Sequence, residues 1–294
     1  MSAMDFEVVI IGGGAAGLSA ALVLGRARRR TLVLDDGEPS NAPAHAIGGL
    51  IGQDGTSPLA FLAAGREQLA GLPSVELRDA TASAVEAGPD GVEVDGVRAQ
   101  ALLLATGMHY RRPDLPGVDE LWGDTVFHCP FCHGWELRDQ PLAVLADGPH
   151  AAVMGQLLRG WSDDVVLLTD PTELEPAARE ALAAAGVAVD GRTVSGLRQR
   201  DGRLEAVLFA DGGELLRAGL LIRAPLEPRS SLVDDLGLER TEAGTVAVHG
   251  WGQTSVPRVW AAGDIAEPAP SVAVAIAAGS RAAGGITHEL LVAS

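Results

Sequence analysis

The chain has 294 residues, 47% of them apolar and 21% charged, with a formal net charge of −17. That length and composition suit a folded chain of two domains, each with its own core, and the acidic surplus excludes nucleic acid and anionic membrane surfaces as partners. All 22 basic residues are arginine, so neither Schiff-base chemistry nor a P-loop lysine is available.

The run from Val8 to Leu24 is apolar, but its glycines break it into strand, turn and helix, and no other stretch is apolar enough to span a bilayer. The expected setting is the reducing cytoplasm, with no membrane partner. A C-x-x-C found there serves catalysis or metal binding rather than structure.

In chain order, Glu7–Ile11 is a β-branched run of the kind buried in a parallel sheet. Gly12-Gly13-Gly14-Ala15-Ala16-Gly17 follows, then an Ala/Leu-rich helix to about Leu24. A second strand, Thr31–Leu34, ends on Asp35. This is G-x-G-x-x-G inside a βαβ unit with an acid about twenty residues on, the pattern of a dinucleotide site. Gly12 permits the turn, Gly14 lets a pyrophosphate approach the backbone, Gly17 lets the helix pack close, and Asp35 faces a ribose diol.

Asn41 to Pro58 reads as loop and Pro58 to about Ala70 as a helix. Short strands are expected at Val75–Leu77, Ala82–Glu86, Val92–Val94 and Val97–Arg98, the middle pair joined by a Pro89-Asp90-Gly91 turn. A buried strand over residues 101–105 ends in Thr106-Gly107. The stretch from Arg111 to Gly117 breaks regular structure and marks a boundary.

The only two cysteines are Cys129 and Cys132, in His128-Cys129-Pro130-Phe131-Cys132-His133-Gly134-Trp135-Glu136. Three chemistries share that spacing: a redox pair, c-type haem attachment, and zinc held with His128 and His133. Haem attachment needs export, and adjacent ligand pairs fit one tetrahedral ion poorly, so the expected metal complement is none. His133 beside Cys132 is a candidate proton acceptor; Glu136 is the weaker candidate for that role and reads first as a first-turn helix acid. Farther on, residues 141–170 repeat the βαβ pattern with Ala146 in place of the first glycine and Pro149 and His150 crowding the turn. Asp170 is either a ribose partner or a turn acid. Residues 259–265 form a last strand ending in Gly263-Asp264, before a helix from about Val272 to Leu291.

Taken together, these motifs resemble the low-molecular-weight thioredoxin reductase family, with Phe131-Cys132-His133-Gly134-Trp135-Glu136 and Asp54-Gly55-x-x-Pro58 closest to the gliotoxin- and holomycin-type dithiol oxidase branch. The resemblance implies an α/β fold of two Rossmann-like domains. A discontinuous FAD domain (residues 1–115 and 247–294) would surround a smaller, degenerate NAD(P)-type domain (116–246) carrying the cysteines. It implies that Gly12, Gly14, Gly17, Asp35, Asn41, Thr106, Gly107, Gly263 and Asp264 hold FAD. Cys132 would be the flavin-proximal sulfur and Cys129 the one that exchanges with substrate.

The middle domain lacks both the intact nucleotide loop and the arginine pair that holds NADPH, so NAD(P)H is a poor fit. Where thioredoxin reductases place an aspartate after the second cysteine, this chain has His133. The expected activity is therefore oxidation of a dithiol through Cys129–Cys132 and FAD, with O2 as acceptor and H2O2 as product. Two alternatives stay open: NAD(P)H-dependent reduction of a thioredoxin-like disulfide, and a redox sensor without turnover. Expected partners are a small dithiol or disulfide, or a thioredoxin-like protein, and a second copy in a homodimer.

Overall fold

The computed structural model describes residues 4–292. They form two compact units. Among them, the first takes in residues 4–42, Thr56–His109 and residues 226–292; the second is Pro43–Gly55 with Tyr110–Pro225. The changeovers thus fall at Tyr110 and Leu226 rather than at residues 116 and 247. Arg111 donates its backbone N–H to Pro225 O at 2.9 Å, closing the second unit. Leu232, Val233, Leu238 and Val246 are buried in the core that contains Val9 and Leu102, which places the chain before residue 247 in the first unit.

The first unit is built on a seven-stranded sheet. In chain order its elements are β1 (Phe6–Ile11), α1 (Ala15–Arg26), β2 (Thr31–Asp35), α2 (Pro58–Ala70), β3 (Val75–Asp79), β4 (Val85–Gly88), β5 (Gly91–Val94) and β6 (Val97–Leu104). The strand order is β3-β2-β1-β6-β5-β4, with Val259–Ala261 lying parallel to the end of β6. β1 alternates as its period requires. Val8 and Ile10 pack toward α1 and the final helix Val272–Val292, while Val9 and Ile11 face the opposite core. All four are 5% exposed or less, and each such burial contributes about 1.5–3 kcal/mol relative to exposure.

The expected strands at Val97–Arg98 and residues 101–105 are one continuous strand, β6. Val97, Arg98 and Ala99 pair antiparallel with β5, and from Ala99 to Leu104 the strand runs parallel to β1, so the two pairings overlap and nothing interrupts it. The helix expected over Pro58–Ala70 has those bounds; Pro58 occupies its first turn and Ser57 caps it by accepting from Ala60 N–H.

The second unit has a five-stranded parallel sheet, in the order Ala188–Asp190, Val165–Leu168, Leu142–Leu145, Gly219–Ile222, Val126–Phe127. A three-stranded antiparallel sheet (Val194–Arg200, Arg203–Phe209, Glu214–Leu216) accompanies it. Among the described residues no helix is long and apolar enough to cross a membrane.

Candidate active site

The register of the first sheet brings four loops to one edge. Ile11 is level with Leu34 and with Leu104, and Leu104 with Ala261. The segments that follow these strand ends are the glycine turn, Asp35, Ala105-Thr106-Gly107 and Ala262-Gly263-Asp264. The carboxyl ends of parallel strands are where such sheets bind ligands.

Contacts within this edge are close. Gly12 has φ +106°, and a Cβ there would lie 2.2 Å from the Ala105 carbonyl oxygen, so only glycine can make this turn. Gly13 N–H donates to Asp35 Oδ1 at 2.8 Å. Over Gly14 there is open space, and a Cβ on Gly263 would meet Ala16 at 2.9 Å, which seats the Asp264 turn beside the start of α1. Thr106 Oγ1 is buried without a hydrogen-bond partner among the described residues. Ser40 Oγ donates to Met108 O beside this edge, and Asn41 is exposed in the turn that follows.

Sequence reasoning missed Arg66. From α2 its guanidinium pairs with Asp35 Oδ2 and reaches Asp79 Oδ1 at 3.3 Å. No local pattern announces a contact between residues 31 apart.

The cysteines belong to the second unit. Cys129 is the extended N-cap (φ −126°, ψ 110°) of a short helix, Pro130–His133, with proline in its first turn. The thiols are free. The Cys129 thiol is brought down to about 7, first by the hydrogen bond that Cys132 donates, and further by the backbone N–H groups of Cys132 and Phe131; burial opposes them. The Cys132 thiol is pushed up, first by that same hydrogen bond, then by burial and the charges of Cys129 and Glu136. One sulfur is thereby a thiolate near neutrality and the other its proton donor. In the reduced protein, iodoacetamide is expected to alkylate Cys129 with a rate that rises as pH increases through about 7, leaving Cys132 unmodified at neutral pH. Peptide mass mapping across pH checks this; preferential alkylation of Cys132 would contradict it.

His133 has a defined tautomer. Its Nε2 lies 3.0 Å from the Gly123 carbonyl oxygen, which can only accept, so Nε2 carries the hydrogen. The lone pair is then on Nδ1, which is buried and makes no hydrogen bond among the described residues. Burial lowers the His133 pKa from its usual value, although the Gly123 and Cys129 carbonyls and the Glu136 and Asp124 charges favour the protonated form. The ring is therefore a neutral base at pH 7, stacked on Phe127.

His128 differs. Its ring packs against Tyr110 and Trp122, with centroids 4.2 and 5.6 Å away, and burial, then His133, lower its pKa to about 4. It is a packing residue. Among the described residues no group of three or more His, Cys, Asp or Glu side chains is arranged to hold a metal ion. Glu136 is exposed in the turns after the short helix, not in a first helical turn.

The loop Pro43–Gly55 also meets the motif. A Cβ on Gly48 would stand 2.4 Å from the Cys132 carbonyl oxygen, so this loop is in contact with the backbone that carries the inner thiol. Gly48→Ala is expected to shift that backbone and lower dithiol turnover by roughly 10- to 100-fold. Steady-state rates beside an unchanged flavin content check it.

The second βαβ unit runs from Leu142–Leu145 through a 3-10 turn at Gly148–His150 into the helix Ala151–Leu158 and the strand Val165–Leu168. Pro149 sits inside the turn where a phosphate loop would present amides. Asp170 has φ +43° and accepts Val194 N–H at 2.8 Å, the geometry of a turn acid. Arg192 is tied to Asp190 and stacks on Phe209 at 3.7 Å.

Two Rossmann-type units, one with an intact phosphate turn and one with a thiol pair whose outer member, Cys129, is acidic, define a nucleotide-dependent disulfide oxidoreductase. The chain belongs to the pyridine nucleotide-disulphide oxidoreductase family, which matches residues 6–279. It is similar to thioredoxin reductase tcpT of Claviceps purpurea, at 33% identity over 97% of this chain and 94% of that protein. Thioredoxin reductase sirT of Leptosphaeria maculans is 32% identical over the same shares, 97% and 94%. The crystal structure of HlmI superposes with a TM-score of 0.92 at 40% identity, covering 97% of this chain and 92% of that one.

As a flavoprotein of this family the chain takes FAD, and the residues of the first unit fit that group on three counts. Gly14 leaves room over the turn. No side chain among the described residues caps α1, so its N-terminal amides are available to a pyrophosphate. Thr106 Oγ1 is a buried hydroxyl in want of a partner.

Proposed function

We propose that the protein oxidises a dithiol to a disulfide, with O2 as terminal acceptor. The observation that carries this reading is the pairing of an acidic Cys129 with a neutral His133 in a unit whose nucleotide turn holds Pro149. A substrate thiol loses its proton to His133 Nδ1 and attacks Cys129 Sγ. The Cys129–Cys132 bond breaks, and Cys132 leaves with the electron pair and takes the proton back from His133. The second substrate thiol then gives its proton to His133 Nδ1, attacks its partner sulfur and expels Cys129 as the thiolate. A pKa near 7 makes Cys129 a good leaving group, which drives the mixed disulfide toward product. The substrate has lost two electrons and two protons; the electrons are on the cysteine pair, one proton is on Cys132 and the other on His133. Bound FAD supplies the two-electron acceptor for the enzyme dithiol, with O2 reduced to H2O2.

In this reading Gly12, Gly14, Gly17, Asp35, Asn41, Thr106, Gly107, Gly263 and Asp264 hold the flavin dinucleotide. The substrate is a small dithiol, the setting is the cytoplasm, and the protein is a homodimer. The names of the relatives favour a second reading, reduction of a thioredoxin-like disulfide by NAD(P)H. The turn at Ala146–His150 and the commitment of Asp170 to Val194 N–H count against it. An oxygen electrode tests the proposal. One H2O2 per disulfide formed, without added NADPH, supports it; oxygen uptake that requires NADPH overturns it.

A further inference from the structure

We infer that Arg66 is a positioning residue for the adenosine end of FAD, acting through Asp35; the inference rests on Asp35 being the ribose partner, as proposed above. Asp35 closes β2 against the glycine turn so tightly that a Cβ on Gly13 would stand 2.6 Å from its carboxyl carbon. One oxygen, Oδ1, accepts Gly13 N–H, and the other, Oδ2, accepts from Arg66. Both oxygens are thereby fixed, and each keeps a lone pair, enough for the two hydroxyls of a ribose diol.

This is not an ordinary surface ion pair. The Asp35 side chain is 12% exposed and that of Arg66 31%, so solvent screens the pair little. Nor does Arg66 serve to anchor its helix, since α2 is already held by Leu69, 1% exposed. Its second contact is the outlying Asp79 at the end of β3, 90% exposed, which sets the guanidinium between two strand ends. A fork can bridge two carboxylates and keep its plane; an ammonium cannot. Arg66 also offsets the charge of Asp35 where a dianionic pyrophosphate must lie close by. Without it, that carboxylate would oppose the cofactor.

The test is titration of deflavinated protein with FAD, followed by quenching of flavin fluorescence. Arg66→Met is expected to raise the Kd about tenfold, the loss of one charge-assisted contact, and Arg66→Lys to recover only part of it. In an Asp35→Asn background Arg66→Met should add nothing, because the carboxylate it orients is gone. Wild-type affinity in Arg66→Met, beside weakened binding in Asp35→Asn, would overturn the inference. So would an equal loss from Arg66→Met in both backgrounds, since the arginine would then act elsewhere. Asp35→Asn with wild-type affinity would instead remove the ribose assignment on which the inference rests.

Discussion

Replacing Cys129 with serine is expected to lower kcat/KM for a dithiol on the order of 10⁴-fold or more, and Cys132→Ser to do the same. Serine removes the sulfur whose disulfide the substrate must attack, and its hydroxyl has neither the acidity nor the redox chemistry to stand in. The two losses should not add. Either substitution abolishes the same Cys129–Cys132 bond, so the double variant should be no slower than the singles. The glycine turn, Asp35 and Thr106 all belong to the other compact unit, so both variants should purify with full flavin content. Absorbance of bound flavin beside dithiol turnover checks both halves. Normal turnover by either variant would end the cysteine mechanism, and loss of flavin from both would show that the substitutions act on folding.

What the sequence revealed here followed periodicity and fixed spacing. The β1-turn-α1-β2 unit was legible because a continuous apolar run, three glycines at set offsets and a terminal acid each have a local cause. The same holds for α2, which proline and Ser57 start at a definite residue. The C-x-x-C was legible as chemistry but not as geometry: nothing in its letters makes Cys129 the acidic sulfur. That depends on the hydrogen bond from Cys132 and on two backbone N–H groups. Contacts between distant segments were hidden. Gly48 meets the Cys132 carbonyl across a loop without periodicity, Gly123 sets the His133 tautomer through a backbone oxygen that any residue would supply, and Arg66 reaches Asp35 from another element. The changeovers between units were misjudged because Leu232, Val233 and Leu238, which precede the expected boundary, are buried in the first core.

His133→Gln is expected to lower kcat/KM by about 10²- to 10³-fold, within the range of a lost general base. Glutamine can still donate to the Gly123 carbonyl, so the loss isolates the Nδ1 lone pair. The sign of the pH effect follows from the burial that lowers the pKa of this histidine. Above that pKa the ring is neutral and can take the thiol proton; below it the ring is already charged and the base is lost. The wild-type rate should therefore fall on an acidic limb lying below the usual histidine range, and His133→Gln should lack that limb. Added imidazole should restore part of the rate. An unchanged pH profile in the variant would assign the proton transfer to another group.

The central claim is that electrons enter through the Cys129–Cys132 pair from a dithiol. Anaerobic reduction of the flavoprotein, followed by flavin absorbance in separate additions of dithiothreitol and NADPH, tests it most directly. The expected result is bleaching by the dithiol, none by NADPH on the same timescale, and H2O2 on admitting air. Rapid bleaching by micromolar NADPH, with no response to the dithiol, would contradict it.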